Sequence, residues 1–179
     1  GMAGEPMAAE VLREILLDPG AGERARGTAA LALGFLGGAE GGDALLAYLD
    51  PASDAKRVGG IRRRPETTCC VLASLGLARS PAAAPVLREI ALSPREADGS
   101  RNNATVRSFA LVALAKTGDR ETIPVETLLA LIEEDREVLR QGAAISLGLV
   151  GKPGEEAVLK ALGKAALGDR DLNVRSLAT

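Results

Sequence analysis

The sequence predicts an all-α fold made by stacking similar helix pairs. Two observations carry that reading: which apolar residues are used, and how they recur. Of 179 residues, 32 are Ala and 27 are Leu, against two Phe, one Tyr and no Trp. Ala and Leu are strong helix formers, whereas β-branched and aromatic strand formers are scarce. So much alanine also lets helices approach closely. The second observation is repetition. "VLREI" stands at Val11–Ile15 and again at Val86–Ile90, continued by "LLDP" in the first copy and "ALSP" in the second.

The looser form of that segment is two apolar residues, two others, then an apolar residue. It recurs as Leu45-Leu46…Leu49, Leu128-Leu129…Ile132 and Val158-Leu159…Leu162. Positions i, i+1 and i+4 share one helical stripe. A second segment alternates with the first: "RGTAALALG" at 26–34, "TCCVLASLG" at 68–76, "RSFALVALA" at 107–115 and "RQGAAISLG" at 140–148. These share small or apolar residues at the fourth and fifth places, Leu at the eighth and Gly or Ala at the ninth. A fifth copy begins at Arg175.

Each unit therefore reads as an Ala-rich first helix, a turn, and a Leu-rich second helix. The turns carry residues that stop helices: "GGAEGG" at 37–42, "SP" at 80–81, "GD" at 118–119 and "KPG" at 152–154. Glycine supplies the left-handed C-cap, and Pro81 suits a first helical position. Neither helix buries its stripe alone, so units stacked in series share one continuous core. The units fall near 21–50, 65–93, 104–135 and 136–168, with partial units near 1–20 and 171–179, in one domain over 1–179.

"VRSFALVALAKTGD" (106–119) and "LRQGAAISLGLVGK" (139–152) resemble the HEAT-like repeats first associated with phycobilisome lyases. In that pattern Val-Arg opens the first helix, Ala-Leu-Gly closes it and Gly-Asp turns into the second. The resemblance covers nearly the whole chain and implies a right-handed α-solenoid of about four and a half repeats. Departures are Thr68 in place of arginine, Lys116-Thr117 at the end of the third unit, and no Gly-Asp after the first.

Arg26, Arg107, Arg140 and Arg175 occupy one repeat position, preceded by Asp18, Asp98, Asp135 and Asp171. The resemblance implies an Asp–Arg ladder between neighbouring units. The alternative, a positive stripe for phosphate, requires free guanidiniums. The resemblance also implies that second helices line the concave face. Their variable places are Arg13-Glu14, Ala47-Tyr48, Arg88-Glu89, Ala130-Leu131 and Lys160-Ala161. Mixed charge and one aromatic, Tyr48, suit a protein partner better than a polyanion; a plain solvated face is the other reading.

Two connections are longer than helix–helix links need to be. "DPASDAKRVGGIRRRPE" (50–66) carries Lys56, Arg57, Arg62, Arg63 and Arg64, and "SPREADGSRNNAT" (93–105) carries Arg95 and Arg101. Both run from a second helix to the next first helix, so both are expected on one edge of the stack. They are either solvated insertions or a basic edge that docks an acidic or phosphate-bearing partner. Neither holds an aromatic residue on which bases stack.

The expected function is a protein-binding scaffold using the second-helix face, the basic loops or both, and needing no cofactor. One alternative is nucleic-acid binding through the arginine-rich edge, against which stands a net charge of −2. Another, implied only by the resemblance, is a lyase-like chaperone of a tetrapyrrole-carrying protein. Enzymatic activity is not expected. With no histidine in the chain, there is no His base and no His metal ligand. Cys69 and Cys70 point about 100° apart on a helix and do not complete a structural zinc site. No apolar run approaches the ~20 residues of a membrane span.

"GMAGEPMAAE" lacks the basic start and apolar stretch of a signal peptide, which favours a cytoplasmic location. Gly1 before Met2 reads as a cloning remnant, and "NVRSLAT" as the start of a further helix. The chain is therefore expected to be a piece of a longer protein. Leu12, Leu16, Leu172 and Leu177 are expected to be partly exposed at its ends, favouring end-to-end association.

Overall fold

The computed structural model describes residues 4–50, 64–93, 103–117 and 123–179. These residues are helical apart from turns and links, and no strand occurs among them. They form α1 (Gly4–Leu17), α2 (Glu23–Leu36), α3 (Gly38–Leu49), α4 (Pro65–Ala78), a single 3₁₀ turn (Pro81–Ala83), α5 (Ala84–Leu92), α6 (Ala104–Lys116), α7 (Val125–Leu131), α8 (Glu137–Val150), α9 (Glu156–Gly168) and α10 (Leu172–Leu177). The chain divides into two compact bodies, Gly1–Val86 and Leu87–Thr179.

Local chemistry sets the boundaries. Pro65 opens α4 and Pro81 opens the 3₁₀ turn, where the missing N–H costs nothing. Asn103 caps α6, its side chain accepting from the Thr105 N–H at 2.8 Å, and Asp171 caps α10 by accepting from Val174 N–H at 2.9 Å. Gly37 closes α2 at φ 67°, a backbone conformation that side chains resist. The end of α4 is less expected: Arg79 takes the left-handed position at φ 48° that a glycine usually fills.

In the first body α2 packs on α1 and α4, and α3 closes against the same group. Leu16, Leu33, Leu45, Leu72 and Leu75 are all wholly buried there. Leu16 thus departs from the expectation of partial exposure. It sits one turn beyond half-buried Leu12, on the stripe that α1 turns toward α2 and α3. In the second body α6 and α8 form the central pair, with Leu111, Leu114, Leu128 and Leu139 in the core. Leu172 and Leu177 are exposed, at 69% and 43%.

The first helices approach closely, and each body uses glycine against serine to do it. A Cβ on Gly34 of α2 would lie 2.7 Å from Ser74 Cβ and 2.8 Å from Ser74 Cα on α4. A Cβ on Gly142 of α8 would lie 2.5 Å from Ser108 Oγ and 3.1 Å from Ser108 Cα on α6. No side chain fits there without moving a helix.

Cys69 and Cys70 lie mid-way along this packing on α4, both as free thiols. Burial, with Cys70 and Glu66 adding to it, pushes the Cys69 thiol up to about 11. Only about 0.1% is then thiolate at pH 8. Iodoacetamide at pH 8 is expected to label half-buried Cys70 well before Cys69, as read by peptide mass mapping. Equal labelling would contradict the burial described for Cys69.

Candidate interaction surface

Of the repeat-position arginines, Arg26, Arg107 and Arg140 are buried, and each binds main chain. Arg26 Nε donates to the Leu16 carbonyl at 2.9 Å, and Arg107 Nε donates to the Ala91 carbonyl at 3.0 Å. Arg140 Nη1 donates to the Glu134 and Asp135 carbonyls at 2.9 and 3.0 Å. Each acceptor lies at or just past the C-terminal end of the preceding second helix: α1, α5 and α7. Those ends carry carbonyls without helical partners and the negative pole of the helix dipole. The arginine satisfies both needs, fastening each first helix to the helix before it. Thr68 in the second unit has no such reach, and its hydroxyl donates to the Arg64 carbonyl at 3.1 Å within its own chain segment.

The acidic half of the expected ladder differs. Asp18 is exposed and accepts from the Gly20 N–H at 2.8 Å, turning its own loop rather than meeting Arg26. Arg26 instead lies over the Tyr48 ring, 5.3 Å from its centroid. Asp98 lies outside the described residues. The carboxylate that meets Arg140 is Asp169, in a bidentate pair at 2.9 Å for both bonds, not Asp135 or Asp171. Asp135 offers Arg140 its carbonyl while its exposed carboxylate stands 3.8 Å from Arg170. Asp171 is occupied as the cap of α10 and by Gln141 Nε2 at 3.2 Å. Arg175 is half-buried in α10.

The expected ladder takes the acid nearest each arginine's helix. The pairing acid lies two residues earlier in "GDRDLN", where two aspartates compete and the nearer one serves as cap. The hydrogen bonds from Arg140 hold the Asp169 carboxyl below its ordinary range, and the same contact holds the Arg140 guanidinium charged. Asp171 is also lowered, first by the Val174 N–H and then by Gln141.

Comparison with known families fits this arrangement of helix pairs. The family model for HEAT repeats matches residues 97–179. Residues 97–179, a little under half of the chain, are similar to HEAT repeats. The match is to HEAT repeats in general and does not single out the phycobilisome-lyase group. No curated protein matches the chain.

On the HEAT-like framework the expected partner-facing residues separate into two sets. Arg88, Glu89, Glu14 and Lys160 are exposed, and Arg13 is half-buried. Tyr48 and Leu131 are not available: Tyr48 is 1% exposed, sealed beneath Arg26, and Leu131 is 7% exposed. The aromatic expected on the outer face therefore belongs to the core, because the i+3 place of the α3 stripe turns inward at that repeat. Lys56, Arg57, Arg62, Arg63, Arg95 and Arg101 lie outside the described residues. Arg64 is exposed at the start of α4, its Nε 3.3 Å from Glu23 Oε1. Glu23 also accepts from the Thr67 hydroxyl at 3.3 Å, tying α2 to α4 at their N-terminal ends.

One surface feature of these helix pairs is not among the sequence expectations. The residue following each nine-residue segment is Phe35, Leu77, Lys116 and Leu149, and the three apolar ones are 78%, 41% and 49% exposed. The signal was present as a recurring apolar residue one place past the pattern. Among the described residues no cluster of three or more His, Cys, Asp or Glu is placed to hold a metal ion, and no helix is long and apolar enough to cross a membrane.

Proposed function

We propose that this chain is a protein-binding scaffold that engages its partner through the outward positions of its second helices. HEAT repeats are commonly protein-interaction scaffolds. The observation that carries the reading here is the exposure of a mixed-charge set, Arg88, Glu89 and Lys160, at places the repeat pattern leaves variable. Mixed charge favours a protein surface of complementary pattern over a uniform polyanion. The basic loops, with Lys56, Arg57, Arg62, Arg63, Arg64, Arg95 and Arg101, are a second docking element within the same proposal.

The test compares the parent chain with an Arg88→Glu/Lys160→Glu variant in affinity capture from the source cell extract. A protein retained by the parent and lost by the variant, with the far-UV spectrum unchanged, supports the reading. Retention of the same protein by both overturns the assignment to this face. In that event replacing Arg62, Arg63 and Arg64 with Ser tests the loop edge, with weakened and less salt-dependent capture as the expected result. A salt-dependent shift of mixed oligonucleotides by the parent chain would favour the nucleic-acid alternative. A coloured protein on co-expression with a bilin would favour the tetrapyrrole one.

A further inference from the structure

We propose that α9 and α10 form a strap held by a polar latch, and that the strap opens as a unit while α6 to α8 stay folded. The starting point is how little apolar surface holds α9, while α10 adds only Val174. In the 13 residues of α9 only Val158 and Ala165 are buried. Leu159 and Leu167 stand 59% and 88% exposed. The neighbouring α8, of 14 residues, buries Leu139, Ala143, Ala144, Leu147 and Val150 among others. A helix with so few buried apolar side chains opens at low cost unless something else holds it.

What holds it is a row of polar ties along one edge, from the strap to α8 and to the link between α7 and α8. Arg140 grips Asp169 through two bonds of 2.9 Å. Gln141 reaches Asp171 at 3.2 Å, Lys164 reaches Glu133 at 2.8 Å, and Arg170 donates to the exposed Asp135 carbonyl at 2.5 Å with the Asp135 carboxylate 3.8 Å away. Only the first of the ion pairs is withdrawn from water, with side chains 5% and 9% exposed. Lys164 with Glu133 and Arg170 with Asp135 are solvated, and solvated pairs contribute little. The Arg140–Asp169 contact is therefore the latch.

The α8 side of the latch is prepared for opening. When Asp169 leaves, Arg140 keeps its bonds to the Glu134 and Asp135 carbonyls, so the guanidinium is not stranded without acceptors. Beside it lies a cleft of about 390 Å³, whose apolar floor is Ile132, Ala161 and Ala165. Opening the strap uncovers Ile132, which is 4% exposed when the strap is closed.

Limited trypsin digestion of the full chain carrying Asp169→Asn tests the device. Cleavage after Lys160 inside α9 reports strap opening, and cleavage after Arg107 inside α6 reports unfolding of the whole body, because a protease needs a locally opened helix. The expected result is about a tenfold faster cut after Lys160, with less than about a twofold change after Arg107. Parallel acceleration at both sites, or none at either, overturns the proposal. If Asp169→Asn fails to fold by far-UV spectrum, Glu133→Gln is read at the same two sites. That variant loses only a solvated tie, so no more than about a twofold rise after Lys160 is expected, and a rise of about tenfold there, or a parallel rise at both sites, overturns the proposal.

Discussion

Gly34→Val is expected to destabilise the chain by about 3 kcal/mol, because a valine there drives into the backbone of the neighbouring helix. The obstruction is Ser74 Cα at 2.8 Å and Ser74 Cβ at 2.7 Å, neither of which swings away as the tip of a long side chain would. The helix α2 must separate from α4, and the contacts of Leu33, Leu72 and Leu75 are loosened together. Part of the cost is offset, since valine is a somewhat better helix residue than glycine. Gly148→Ala supplies the contrast. It lies inside α8 with nothing within 4 Å of its added Cβ, so a gain of about 0.5–1 kcal/mol is expected. Urea unfolding of both variants decides the matter. A neutral Gly34→Val would mean that the two helices are not held at the distance described.

Arg140→Ala is the other change of large effect, with an expected loss of about 2–3 kcal/mol. The arginine joins three segments at once: α8 itself, the Glu134 and Asp135 carbonyls in the link after α7, and Asp169 before α10. Its removal leaves two carbonyls and a carboxylate without their charged donor. The pH dependence carries a sign that a packing defect alone would not. Asp169 has a folded-state pKa below its ordinary value of 3.8, chiefly through the Arg140 hydrogen bonds. Its contribution is therefore complete above about 3.8 and is lost as pH falls through the lower, folded value. The parent chain is expected to lose stability steeply in that acid window, and Arg140→Ala to lose less there. Equal acid slopes in urea titrations at pH 5 and below would contradict the pairing.

The helix pairs were legible because their cause is local and repeated. Alanine, leucine and turn residues recur in the same order, and propensity and stripe agree at each unit. Asp169 was less legible, since two aspartates stand two residues apart and the choice between pair and cap is made by backbone geometry in three dimensions. Tyr48 misled for a related reason. A place that is outward at Glu14 and Glu89 turns inward at Tyr48 and Leu131, and at Tyr48 the ring covers a buried arginine. The exposure of Phe35, Leu77 and Leu149 is written in the repeat, but an apolar residue beside an apolar pattern reads as core until the packing partner is known.

The first helices, packed on small residues and, in α2, α6 and α8, fastened by arginine to the segment before them, carry the stability of the chain. Buried residues concentrate there in most units: eight each in α4, α6 and α8, against two each in α7 and α9, while α2 and α3 bury six each and the arginine and the close α2–α4 packing favour α2. Residue-resolved amide hydrogen exchange on the intact chain measures this directly. The slowest exchange is expected in Glu23–Leu36, Pro65–Ala78, Ala104–Lys116 and Glu137–Val150, with the second helices opening first. Slowest exchange in Gly38–Leu49, Val125–Leu131 and Glu156–Gly168 would contradict the account.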